Sequence, residues 1–376
     1  MAQYAALDVS QETTAICLVD ESGKVRRQAK VATCPETISR WFAENATGLV
    51  RIGMETGPLA VWLWNELDAK GLPVVCMDAR HANAALKMRP NKTDRNDAAA
   101  LAQIVRTGWF KHVRIKSRTS YEIRSLLAAR EVLVRVRVKL ENEIRGLLRT
   151  FGVLFGKAAG GFARRAHEIV AGELDASPPM RLVVENLMQA RLTILDRIKV
   201  LDRQVLAVAR TNATARLFMS APGVGAITAL SVASAFDDAE RFKRSSSAGA
   251  YLGLTPRRYE SGEISWNGRI SKHGNKLTRT HLYEAATTLL TRTVRLSRLK
   301  AWGLRLAKRC GFKKARDPRV LGDPRRSQGI ATTSGPTTSA RTGRMTDGGS
   351  ACSMVLAAVL VAVPTPELCA TSSHPD

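Results

Sequence analysis

Short apolar blocks open the chain, and their period changes from two to near 3.6 as it proceeds. Residues 3–9, 13–19 and 25–31 are β-branched or alternating segments, and Asp20-Glu21-Ser22-Gly23 between the last two is a hairpin turn signal. Three antiparallel strands are predicted. Residues 35–45 then carry helical spacing, 49–54 read as a strand ending at Glu55-Thr56-Gly57-Pro58, 59–70 as a helix by their Leu and Trp spacing, and 72–77 as a strand ending at Asp78. A helix beginning near Asp94 closes this unit.

Long basic helices follow. Across 114–153, Ile123, Leu127, Val134, Val138 and Leu148 recur at helical spacing among many arginines; across 182–208, Leu187, Ile194, Leu201 and Val208 stand seven apart, beside Ile198 and Val205. The two helices are expected to pair through a Gly-rich, Pro-containing connection at 152–181. A heptad does not name its partner, so a bundle core and a dimer interface both fit. From Leu217 the texture changes to Gly-punctuated turns between helices. The reading by segments is a domain at 1–113, a helical coiled-coil linker at 114–212, a mostly α domain at 213–316 and an atypical tail at 317–376.

Composition adds one strong fact. In 376 residues, 58 Lys+Arg stand against 33 Asp+Glu, a formal net charge of +25, so a polyanion is the expected partner. The basic residues lie along helices rather than beside an apolar anchor, which favours nucleic acid over membrane. The six cysteines form no Cys-x-x-Cys pair, which argues against a zinc site or a disulfide framework and suits a reducing cytoplasm. The longest apolar run, 354–363, is ten residues, too short for a membrane span, and the start of the chain lacks a signal-peptide pattern.

Four acids then become the candidate chemistry. Asp94 and Asp97, in Lys92-Thr93-Asp94-Arg95-Asn96-Asp97, share one face at a helix start, where they would either hold a cation or serve as cap and first-turn charge. Asp8 lies near the end of the first predicted strand and Glu55 at the end of the fourth. Three strands followed by alternating helices and strands is the order of an RNase H-like fold, in which the first and fourth strands can be neighbours. Four carboxylates converging in a basic protein would suit one or two Mg²⁺ ions acting on a phosphodiester.

The series Leu-Asp8-Val-Ser, Met-Glu55-Thr-Gly and Lys-Thr-Asp94-Arg-Asn-Asp97-Ala resembles the DEDD pattern of insertion-sequence transposases related to the Piv and MooV DNA invertases. That resemblance implies a RuvC-like N-terminal nuclease domain in which Asp8, Glu55, Asp94 and Asp97 bind metal. Farther on, Gly-Leu-Thr-Pro-Arg257-Arg258-Tyr-Glu-Ser261-Gly, with Ile-Ser-Lys272-His-Gly-Asn-Lys276 downstream, resembles the C-terminal transposase domain of the same family. It implies that Ser261 is a nucleophile forming a transient protein–DNA ester, although a Ser-Gly pair by itself is an ordinary turn. Ser245 is the second candidate. A serine needs an activating base or metal, so the acids and the serine would form a composite site, possible between subunits. The family also implies a structured guide RNA transcribed from the element's ends; a homo-oligomer, dimer or tetramer, is expected.

Nucleic-acid contacts are expected at Arg257, Arg258, Arg269, Lys272 and Lys276, and at Gly223 and Gly225 of Pro222-Gly-Val-Gly-Ala. That stretch looks like a helix-hairpin-helix turn whose amides receive phosphate, though a plain helix–helix turn fits it too. The resemblance runs from about residue 3 to Arg316 and stops. Beyond it, Pro, Gly, Ser and Thr take over, as a frameshifted end or a poorly ordered tail would read. Two rival functions remain: a hydrolytic nuclease of the Holliday-junction resolvase type, in which Ser261 is only a turn residue, and an inactive nucleic-acid-binding remnant.

Overall fold

The computed structural model describes residues 1–87, 93–155, 161–174, 176–238, 241–242, 245–262 and 264–311. Lys92 of the acidic motif, Glu263 after the Ser-Gly turn and the tail at 317–376 lie outside the described residues. The chain divides into two compact units, Met1–Lys116 and Ser117–Asp376.

The first unit is a mixed α/β domain. Strands β1 (Gln3–Val9), β2 (Thr13–Asp20), β3 (Val25–Ala32), β4 (Leu49–Glu55), β5 (Val74–Met77) and β6 (His112–Val113) form one sheet in the order β3-β2-β1-β4-β5-β6. The β1–β2, β2–β3 and β5–β6 pairs are antiparallel, whereas β1–β4 and β4–β5 are parallel. This order agrees with the RNase H-like arrangement expected from the sequence. Helices α1 (Pro35–Asn45) and α2 (Ala60–Ala69) cover one face, where Leu7, Ile16, Ile52 and Met54 meet Phe42, Leu63 and Leu67. Helices α3 (Ala79–Leu86) and α4 (Asp94–Thr107) cover the other, with Ala6, Cys17 and Met77 against Ala82, Leu101 and Val105. Alternate residues of each strand thus serve different helical layers, as the pleat requires.

Gly53 sets how closely α4 can lie on this sheet, because a Cβ there would fall 2.1 Å from Val105 Cγ2. Two elements of this unit are not predicted by the sequence. α3 is an alanine-rich helix of eight residues, and β6 is two residues long, its pairing to β5 decided by the sheet edge.

The second unit is mostly helical: α5 (Arg118–Arg149), α6 (Gly161–Val170), α7 (Pro178–Thr211), α8 (Ala213–Met219), α9 (Ala226–Phe236), α10 (Ser245–Tyr251), α11 (Lys276–Thr291) and α12 (Arg298–Cys310), with a hairpin of β7 (Pro256–Ser261) and β8 (Ile264–Ile270). α5 and α7 pack along each other, as expected, with the expected Ile123, Leu127 and Leu148 of α5 and Ile198 and Val205 of α7 in the buried line, but the seven-residue repeat of α7 lies beside that line. The buried line of α7 is Val184, Met188, Ile198, Val205 and Ala209, while Leu187, Ile194, Leu201 and Val208 flank it half-buried. On α5 the line is Ile123, Leu127, Ile144 and Leu148, and Val138 is exposed.

The reason for the shift is charge within the seam. Arg191 Nε lies 2.8 Å from Glu141 Oε1, both side chains nearly buried, and Arg130 Nε lies 2.5 Å from Asp202 Oδ1. These ionic residues interrupt the apolar repeat of the true seam, so the flanking repeat shows more clearly in sequence. One end of the α5–α7 pair joins α8, α9 and α11 in a single core, in which Ile123, Leu127, Val205 and Ala209 meet Phe218, Leu230 and Leu282. The other end closes around α6 through Ile144, Leu148, Phe162 and Val184. The connection at 152–181 therefore carries a helix of its own.

Candidate metal and nucleic-acid site

In the first unit, the parallel register places Leu7 beside Met54, and Asp8 and Glu55 are the next residue of each strand. Because Leu7 and Met54 face α1 and α2, alternation turns Asp8 and Glu55 to the α4 face, at the carboxyl edge where open α/β sheets bind ligands. α4 begins at this same edge. Its far end reaches the β2–β3 turn, where Gln103 Nε2 donates to Gly23 O at 2.6 Å and Arg106 Nη1 to Glu21 O at 3.0 Å. Thr93 caps the helix, its side chain accepting from Asn96 N at 3.2 Å, so neither aspartate is needed for that role. Asp94 is exposed and Asp97 half-buried in the first turn.

Asp8 stands opposite Ala15, and Ala15 opposite Lys30, so Lys30 lies two strands away in the same row. Its Nζ is 2.9 Å from Asp94 Oδ2. The fold thus brings Asp8, Glu55, Asp94 and Asp97 to one edge of one face, and hard carboxylate oxygens on rigid elements are the donor type Mg²⁺ takes. Their side chains do not draw together into a ligand group: among the described residues no three His, Cys, Asp or Glu could hold a metal ion as they stand.

The sequence reading missed a charged pair on this edge. Asp78 follows the last residue of β5 and is 8% exposed. It accepts from Arg80 N at 3.0 Å and Nε at 3.1 Å on one oxygen, and from Arg80 Nη2 at 2.8 Å on the other. The Arg80 hydrogen bonds hold the Asp78 carboxyl down to about 2. Thr56, directly after Glu55, donates its N–H to Met77 O at 3.0 Å and accepts from Ala79 N on Oγ1 at 3.3 Å. The loops after β4 and β5 are thereby stitched together. The available signal was the Asp-x-Arg spacing immediately after an apolar strand.

In the second unit, the two stretches rich in Gly and basic residues meet. Ser271 N donates to Thr255 O at 2.8 Å and Lys272 N to Gly253 O at 3.0 Å. Arg279 Nη1, from α11, donates to the carbonyls of Leu252, His273 and Gly274 at 2.9, 3.2 and 3.1 Å. From this base springs the β7–β8 hairpin, in a stretch whose sequence predicts only Gly-punctuated turns between helices. Arg257 and Arg258 on β7 and Arg269 on β8 are exposed; Arg258 pairs with Glu260, and Tyr259 stacks on Trp266 with ring centroids 5.7 Å apart. Basic groups beside exposed aromatic faces suit a nucleic-acid strand.

Ser261 ends β7 and is exposed, with Gly262 next at φ +56°. Ser245 begins α10, and its side chain lies outside the described residues. Lys272 is exposed at φ +57°, and Lys276 opens α11, whose cap Asn275 accepts from Leu277 N and Thr278 N at 2.9 and 3.2 Å. Gly225 is exposed at the start of α9, with open space where a Cβ would be. Gly223 has a packing reason to be glycine: it sits at φ +86°, and a Cβ would fall 2.8 Å from Ala285 O on α11.

Two family models match the chain. Residues 5–152 match a DEDD-type family model described as a transposase, and residues 215–301 match the model of the transposase IS116/IS110/IS902 family. The chain is 32% identical over 313 residues to the transposase for insertion sequence element IS1111A of Coxiella burnetii, covering 82% of this chain and 84% of that protein. It is 31% identical over 205 residues to a probable family 20 transposase of Pseudomonas aeruginosa, covering 54% and 61% respectively. Over 273 residues it is 26% identical to the transposase for insertion sequence element IS1328 of Yersinia enterocolitica, covering 72% and 77%. With matches in both units and similarity along most of its length, the chain belongs to the IS116/IS110/IS902 family of insertion-sequence transposases.

Proposed function

We propose that the protein cuts and rejoins DNA at the ends of its insertion element, in the cytoplasm, with Asp8, Glu55, Asp94 and Asp97 holding Mg²⁺ and Ser261 as nucleophile. The observation that carries this reading is the placement of Asp8 and Glu55 on adjacent parallel strands, on the face and edge where α4 presents Asp94 and Asp97. When bound, Mg²⁺ would supply Lewis-acid stabilisation of charge on the phosphate oxygens. In the strand-breaking step, Ser261 Oγ forms a new P–O bond as the strand's own P–O bond breaks, and the serine proton passes to the departing oxygen. Rejoining reverses this at a second strand, so the phosphoester bond energy is conserved and no external energy source enters.

Arg257, Arg258, Arg269, Lys272 and Lys276 would contact the DNA or RNA backbone, and Gly223 and Gly225 a phosphate at the turn before α9. The RuvC-like character of the first unit, the relation to Piv/MooV invertases, the guide RNA and a homo-oligomer belong to this reading through family resemblance, and the +25 charge is compatible with both nucleic acids. Among the described residues no helix is long and apolar enough to cross a membrane.

The test is incubation of the full chain with DNA carrying the element's junction, Mg²⁺ and co-purifying RNA, followed by a denaturing gel. An adduct lost on Ser261→Ala and on Asp8→Ala supports the reading. Cleavage without adduct that survives Ser261→Ala would make the protein a hydrolytic nuclease, an outcome favoured by the position of Ser261 at a hairpin turn. Binding without cleavage would make it a remnant.

A further inference from the structure

We infer, resting on the proposed action of Ser261 on DNA, that the stacked Tyr259 and Trp266 side chains are a platform for an unpaired DNA base beside the phosphate that Ser261 engages. Tyr259 pairs with Trp266 and Ser261 with Ile264, so all four side chains lie on one face of the β7–β8 hairpin. Arg257 begins on that face too: its Cβ and Trp266 Cζ3 lie 3.7 and 3.0 Å from the point where a Cβ on Gly268 would be. Ser261 is two residues from Tyr259, about 7 Å along a strand, so a base on the rings and a phosphate at the hydroxyl fit neighbouring positions of one DNA strand.

The face is apolar and open to solvent. Tyr259 is 51% exposed, Trp266 52% and Ile264 61%, and among the described residues this sheet has two strands. The ring planes lie 28° apart with centroids at 5.7 Å, a near-parallel arrangement to which a further flat ring can be added. Arg257 and Arg269 on the hairpin and Lys272 at its base are exposed cations around these rings. A nucleotide matches that pattern, since it joins an anion to a flat ring, whereas a lipid tail or an acidic peptide supplies only one of the two.

A directly opposed aromatic pair also steadies a hairpin. That role needs apolar contact between the two side chains, which Leu supplies too, whereas base stacking needs the π face. A duplex keeps its bases stacked on one another, so the platform takes a base only where the strand is unpaired.

The experiment uses the full chain and two single-stranded DNA probes of equal length, oligothymidylate and the same backbone without bases, over a range of salt concentrations. Wild type is expected to bind oligothymidylate about tenfold more tightly than the abasic strand, the worth of one base stacked on an aromatic side chain. Trp266→Leu should lose this preference while holding the abasic strand as wild type does; Tyr259→Leu should lose part of it, and Trp266→Phe should retain most. Arg257→Gln should instead weaken both probes and lower the slope of log K against log salt by about 0.7. Equal affinity of the wild type for the two strands overturns the inference. So do Leu variants that keep the preference, or that lose affinity for both strands alike. Tighter binding of oligouridylate than of oligothymidylate would give the platform to RNA and overturn it as well. If no protein–DNA adduct forms with Ser261 intact, the proposed function fails, and the comparison of the two strands still decides whether the rings hold a base.

Discussion

Gly253 and His273 touch backbone to backbone: a Cβ on Gly253, which sits at φ +68°, would fall 2.0 Å from the carbonyl oxygen of His273 and 2.4 Å from its nitrogen. Gly274 repeats the relationship in reverse, with a Cβ position 2.2 Å from Tyr251 O. The two glycines let the strand-flanking segments close on each other and set the base of the β7–β8 hairpin. Gly253→Ala combines a disfavoured backbone conformation with an unavoidable clash, and should cost at least about 2 kcal/mol. Urea unfolding of wild type and variant would measure this, and an unchanged midpoint would refute it.

Gly53 makes a comparable demand beneath α4. Gly53→Ala should displace the helix that carries Asp94 and Asp97, lowering both stability and DNA cleavage. Because the obstructing atom is Val105 Cγ2 at 2.1 Å, the second change Val105→Ala should restore part of both in Gly53→Ala/Val105→Ala. Equal or greater loss in the double variant, by thermal unfolding and cleavage rate, would count against this account.

Lys30 competes with any cation for Asp94, to which it is 2.9 Å distant. The pair is more than half exposed, so its worth is modest, roughly 0.2–1 kcal/mol. Lys30→Met should therefore lower the Mg²⁺ concentration that half-saturates cleavage by a factor of about 1.4 to 5, a titration that also tests whether Asp94 takes part.

The seam of α5 and α7 predicts a double-mutant result. Glu141 and Arg191 are nearly buried, and Arg137 Nη1 also approaches Glu141 Oε1, at 3.6 Å. Arg191→Leu leaves the carboxylate with a weaker partner and should cost about 2–3 kcal/mol. Glu141→Leu/Arg191→Leu should recover most of that loss, because neither nearly buried charge of the pair then remains. Chemical denaturation of the four proteins supplies the cycle.

His281 gives the protein an acid sensitivity with a definite sign. It is buried on α11, its Nδ1 has no hydrogen-bond partner among the described residues, and burial, with Arg130 adding, holds its pKa down to about 4 from the ordinary 6.5. Between those values the unfolded chain binds a proton that the folded chain refuses, so stability falls as pH drops from about 6.5 towards about 4. The slope approaches about 1.4 kcal/mol per pH unit, and below that window the loss is complete. His281→Leu should flatten this part of the curve of stability against pH.

The amino-acid sequence by itself determined most local elements of the first unit, all but α3 and β6, and the positions of its acids. β1 (Gln3–Val9), α1 (Pro35–Asn45) and β4 (Leu49–Glu55) are legible because alternation and helical periodicity record which residues are buried within each segment. Charge likewise was legible, since it needs no fold to be summed. The order of elements already suggested β1 and β4 as neighbours, whereas tertiary structure alone decided the register that sets Asp8 level with Glu55, the charged seam of α5 and α7, and the pairing of Asp78 with Arg80 on the same edge. It also decided why Gly53, Gly223, Gly253 and Gly274 are glycines, because the atoms that forbid a side chain come from distant parts of the chain. Periodicity is a property of one segment facing an interior, whereas register, close approach and ion pairing depend on which other segment fills that interior. A local pattern cannot encode that partner.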